Sequence, residues 1–84
     1  FRIKIKEVFL EWIDAIEAAL ENGKNNNTVK RDISARAAAC FLVASLEGWI
    51  GLAKNVQSVE LNSEFMRGLN LFLNSIRPEG AEIG

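Results

Sequence analysis

The chain has 84 residues, ten of them basic and eleven acidic, a formal net charge of −1 and a hydrophobic fraction of 49%. So balanced a charge gives no electrostatic reason to expect nucleic-acid or acidic-membrane binding. A single cysteine excludes an internal disulfide and leaves a metal site without thiolate partners, and the absence of histidine removes the commonest general base and metal ligand.

Eighty-four residues suit a single α-helical domain, and a chain this short buries only about 60–65% of its unfolded surface. High apolar content in so small a chain implies either an unusually full core or a surface reserved for a partner. No catalytic residue, metal or cofactor is expected. Cys40 reads as a small core or near-core residue. The opening FRIKIKEVFLEW mixes charges through its apolar residues and has no small-residue cleavage site, so it does not read as a secretory signal. A start at Phe1 rather than Met suggests a piece of something longer.

The first helix is predicted over Ile3 to Asn22. Ile5, Val8 or Phe9, Trp12, Ile16 and Ala19 or Leu20 recur at three- and four-residue spacing, and Ile13 widens the stripe. Glu7, Glu11, Asp14, Glu17 and Glu21 form the opposite, solvated face. Asn22-Gly23 reads as the C-terminal stop. Lys4 and Lys6 near the start, with Glu17 and Glu21 near the end, run against the helix dipole; tertiary burial or a natural start upstream of Phe1 would account for it.

Lys24 to Arg31 (KNNNTVKR) follows as a polar loop whose basic residues read as solvated. Val29 and Ile33 are expected to pin it to the core. Asp32 or Ser34 offers the N-cap of the next helix.

The central helix, predicted over residues 34–55, is apolar around most of its circumference. Ala38, Leu42, Ser45, Trp49 and Leu52 fall on one side, while Val43 and Ile50 flank the opposite edge. Ala37, Ala44, Gly48 and Gly51 make a sector of small residues, and only Arg36, Glu47 and Lys54 align as a charged stripe. Such a helix must be covered on several sides. Its apolar stretch, Ala37 to Ala53, falls short of the roughly 20 residues a bilayer needs and contains Glu47, so a buried soluble helix is expected. Glu47 reads as an interface residue or a salt-bridge partner of Lys54 or Arg36.

Ser58 caps a third helix over Val59 to Ile76, with Glu60 in its first turn. Leu61, Phe65, Gly68, Leu69, Phe72 and Ile76 make its main face, and Met66 and Leu73 a second edge. Pro78 ends it, and PEGAEIG reads as a frayed tail. Gly48, Gly51 and Gly68, inside two adjacent helices, cost roughly 3 kcal/mol together relative to alanine. Close approach of another helix would offset that cost, from within the chain or from a second subunit.

With these residues in place the chain resembles the C-terminal part of bacterial TetR-family transcriptional regulators. The resemblance runs from about Phe9 to Pro78. It lies in an A-x-x-L-V-A-x-L-E-G helix within Ala38–Gly48, a Lys-Asn turn, and a last helix of the form R-G-L-x-x-F-L-x-x-I-R-P. That last pattern is matched by Arg67, Gly68, Leu69, Phe72, Leu73, Ile76, Arg77 and Pro78, and the run from Gly23 to Ile33 resembles the family's preceding loop. No single residue in the set is diagnostic.

The resemblance implies an all-α fold, a three-helix fragment whose last two helices pair with those of a second subunit in a four-helix bundle. It implies a cytoplasmic homodimer, not an enzyme, that senses a hydrophobic small-molecule inducer. DNA would be held only through an N-terminal helix-turn-helix domain that this sequence does not contain. Glu47, Gly48, Ile50, Gly51, Lys54, Phe65, Gly68, Leu69 and Phe72 are then the expected dimer residues, with Glu47 and Lys54 at the rim. Phe9, Trp12, Ile13, Leu42 and Trp49 are the expected ligand-binding residues, although such stripes are core by default. The alternatives are a stand-alone helical module that recruits a different protein and a small helical enzyme using Glu47.

Overall fold

The computed structural model describes residues 2–78, with side chains from Ile5 onward; Phe1 and the expected tail over 79–84 lie outside the described residues. Three α-helices, α1 (Arg2–Asn25), α2 (Ala35–Val56) and α3 (Val59–Ser75), account for the chain, and there is no strand among the described residues. The all-α expectation holds, with helix boundaries within three residues of those read from the sequence.

The one misplaced boundary has a clear physical cause. α1 does not stop at Asn22-Gly23 but continues to Asn25. Gly23 is buried inside the helix because the following loop crosses directly over it: a Cβ there would lie 2.6 Å from Val29 Cγ2 and 3.1 Å from Thr28 Oγ1. The backbone N–H groups of Thr28 and Val29 donate to Gly23 O at 2.8 and 3.2 Å. The left-handed conformation expected of Gly23 is taken instead by Asn27, at φ 62°. Lys24 is likewise no solvated loop residue: its Nζ donates to Ile33 O at 2.6 Å, bridging the end of α1 to the segment before α2.

Ser34, rather than Asp32, caps α2: its hydroxyl accepts from Ala37 N–H at 3.0 Å. Ser58 does the same for α3 by accepting from Leu61 N–H at 3.1 Å. Each interaction satisfies one of the N–H groups that a helix start leaves unpaired. Between the two helices Gln57 turns the chain with φ 51° and ψ 53°, a left-handed conformation more often occupied by glycine.

The core is small and sits at one end. Leu20, Ala35, Ala38, Ala39 and Ile76 are buried, with Ile13, Ile16, Val29, Ile33 and Phe72 packed around them. Val29 and Ile33 therefore pin the loop as expected, and Lys30 N–H donates to Ile76 O at 2.8 Å, tying the loop to the end of α3. Every buried residue of α2 lies in its first half, and α3 has none.

The three helices lie side by side rather than around a common centre. α1 and α3 each pack on α2 and not on each other. The result is a slab of 39 × 34 × 14 Å, about one helix diameter thick. Its radius of gyration is 14.7 Å, where a compact chain of this length has about 12 Å.

Candidate functional site

In a single layer of helices the middle helix has two uncovered faces, and α2 is that helix. Its circumference divides at 100° per residue. Arg36, Ala39 and Val43 turn toward α1, while Ala38, Phe41, Leu42, Ser45 and Trp49 turn toward α3. Leu46 and Ala53 are left on one face of the slab, with Ile50 at its α1 edge. Ala37, Ala44, Gly48 and Gly51 are left on the other.

The first face carries a groove of about 420 Å³ between α1 and α2, lined by Trp12, Ala15, Ile16, Val43, Leu46, Trp49 and Ile50. Only carbon surface and two indoles meet there. Both helices contribute residues at i, i+3 and i+4 (Trp12, Ala15, Ile16 and Leu46, Trp49, Ile50), the spacing that brings side chains onto one helix face. On α1, Phe9 packs edge-on against Trp12 with ring centroids 5.7 Å apart, supporting that wall from outside the groove.

Trp49 is shared between the groove and α3. Its ring stacks on Phe65 at a centroid distance of 5.1 Å, and its Nε1–H donates to Asn62 Oδ1 at 3.1 Å. Toward the core end of α3, Phe41 and Phe72 pair at 4.8 Å. A narrower cleft of about 220 Å³ lies along this α2–α3 seam, bounded by Phe41, Leu42, Ser45, Phe65, Gly68, Leu69 and Phe72.

The five residues expected to bind ligand thus do not form one pocket. Trp12 and Trp49 share the groove. Phe9 and Ile13 line a separate cleft of about 270 Å³ with Cys40, Val43, Ala44 and Glu47, and Leu42 belongs to the α2–α3 seam. Sequence reasoning missed Ile16, Val43 and Leu46 as groove residues and placed Ile50 elsewhere. The repeated spacing around each tryptophan was the available signal.

The residues expected at a dimer interface also separate. Gly48, Gly51 and Gly68 are open: a Cβ added at any of them meets nothing within 4 Å. No helix of the same chain fills the space they leave. Phe65, Leu69 and Phe72 are half-buried against α2, so they hold α3 in place within the protomer. Glu47 and Lys54 are exposed beside the glycine face.

The core reading of Cys40 and the ion-pair alternative for Glu47 are corrected. Cys40 is exposed rather than core, because it sits in an open cleft beside Phe9 and Ile13 of α1. Glu47 is in none of the ion pairs among the described residues; Arg36 turns to α1 instead, its Nη1 2.5 Å from Asp14 Oδ1 and 2.9 Å from Glu17 Oε1. Hydrogen bonds from Asp14 and then Glu17 raise the Arg36 pKa further above its already high ordinary value. The guanidinium is therefore a permanent cation that clamps α1 to α2.

An 18-residue stretch of α2 has a mean hydropathy of 1.4, so the 22-residue helix is long and apolar enough to cross a membrane, where Ala37 to Ala53 read as too short. Glu47 near the middle of that helix would cost about 2.5–3.5 kcal/mol in a bilayer centre. No family model matches the chain, and no curated protein or solved structure matches it.

Proposed function

We propose that this chain is the dimerisation and small-molecule-sensing part of a TetR-like transcriptional repressor, cytoplasmic and bacterial, that acts as a homodimer. Its regulatory role would depend on a DNA-binding domain not contained in this sequence. The observation that carries the dimer is the uncovered surface. The accessible area is 6440 Å², whereas a folded monomer of this mass exposes roughly 5,000 Å². A single layer of helices with two open faces has that excess, and a second copy laid on one face would bury it.

The glycine face of α2 and α3 suits that role. Gly48 and Gly51 on α2 and Gly68 beside the α2–α3 seam each leave a space that no helix among the described residues enters. A symmetric partner seated there would recover by close packing what the glycines cost in helix propensity. Leu61 and Leu52 are both exposed and would add apolar area to a contact. The sensing role draws support from the apolar groove on the opposite face, whose volume lies in the range of small-molecule sites. The regulator class itself rests on the ordered sequence pattern from Ala38 to Pro78.

Sedimentation equilibrium of the purified chain tests the assembly. A homodimer that Gly48→Arg converts to folded monomers is expected, since one long cation per copy would enter the contact. A wild-type chain that remains monomeric and well folded at high concentration would favour the stand-alone interaction module instead.

A further inference from the structure

The two exposed faces differ in chemistry. On the tryptophan face, one side chain that walls the groove between α1 and α2 also touches α3. Trp49 presents ring surface to the groove while the same indole stacks on Phe65 and donates to Asn62. Its only polar atom is thus already satisfied by the protein.

We propose that the groove between α1 and α2 binds a flat, uncharged aromatic molecule, and that Trp49 passes the groove's occupancy to α3. This deepens the sensing role proposed above and rests on it. The ligand class follows from charge and polarity. No lining residue carries a charge, so an ion entering the groove would lose hydration with no counter-charge in return. Glu47, the nearest carboxylate on that half of α2, lines the cleft on the other side of the slab.

Indole walls favour offset or edge-on packing with another ring, so a planar aromatic gains more there than an aliphatic body of equal area. A volume of about 420 Å³ accommodates two or three fused rings. The coupling follows from rigidity: an indole held by a ring stack and a hydrogen bond cannot reorient for a ligand without moving Asn62 or Phe65. Both lie on α3, which shares the glycine face.

The test uses naphthalene as probe and the protein's two tryptophan indole N–H signals, assigned with Trp12→Phe and Trp49→Phe. Titration of wild type is expected to shift both signals saturably and to move backbone amides of residues 61–69. The charged isostere 2-naphthoate is expected to bind at least severalfold more weakly. Asn62→Ala or Phe65→Leu should retain naphthalene binding but reduce the α3 amide shifts by half or more.

Unmoved indole signals, or equal affinity for 2-naphthoate, would overturn the ligand class. Undiminished α3 shifts in both Asn62→Ala and Phe65→Leu would overturn the coupling. Both readouts work on monomer or dimer, so their failure is distinct from a failure of the dimer, which sedimentation reports separately.

Discussion

Replacing both Gly48 and Gly51 with alanine separates the protomer's interest from the dimer's. Within one chain the added methyl groups meet nothing within 4 Å. Each substitution should therefore deliver its helix-propensity gain of about 1 kcal/mol, about 2 kcal/mol together. At roughly 4–8 °C per kcal/mol for a domain of this size, the diluted protomer should melt about 8–16 °C higher. In a symmetric dimer whose closest contact is this patch, the same change inserts four methyl groups. At a lower bound of about 1 kcal/mol per overpacked methyl, association weakens by about 4 kcal/mol, close to a thousandfold in Kd. Helix propensity cancels from that figure because it is equal in free and paired protomers. The assay is paired: urea unfolding at a concentration where the chain is dilute, and sedimentation for Kd. A stabilised protomer whose self-association is unchanged or tighter would refute the reasoning, since the glycines would then face solvent in the assembly.

Gly23→Ala should behave in the opposite way to the exposed glycines. The same propensity gain is available, but the new methyl would stand 2.6 Å from a stiff Val29 side chain, and displacing the loop should leave the variant destabilised by about 1 kcal/mol net in urea unfolding. Gln57→Gly should raise stability by about 0.5–1 kcal/mol, because an L-residue at φ 51° carries left-handed strain that glycine lacks; a lower urea midpoint would show that the side chain compensates. Ser34→Ala should cost about 1 kcal/mol by leaving Ala37 N–H without its cap, measured in the same way. Arg36→Met should lower Tm at low salt and much less at about 1 M salt, where screening has already weakened the clamp. Because the Arg36 pKa is raised, its charge contributes below the ordinary arginine pKa and is lost only above the raised one. That loss of Tm should therefore not depend on Arg36 titration between about pH 6 and 10.

The three helices, their caps and their order were legible in the chain itself. Apolar spacing of three and four residues sets a helix wherever it persists; Ser34 and Ser58 mark starts through hydrogen bonds local in sequence, and Pro78 marks an end because it has no N–H to continue the helix. The excess of apolar surface was legible too, since an all-round apolar α2 cannot be covered twice by one helix on either side. What the sequence could not convey was which glycine does what. Gly23 reads as a helix stop and Gly48 as a helix interior, yet both lie inside helices, one under a returning loop and the other facing open space. That distinction depends on where residues 28 and 29 travel, a non-local matter. The same holds for the division of the expected pocket residues. Trp12 and Trp49 meet only because α1 and α2 lie alongside one another, while Phe9, Ile13 and Leu42 are rotated to other sides of the same helices. Periodicity fixes each residue's angle about its own axis, but the partner at that angle is chosen only when the helices pack.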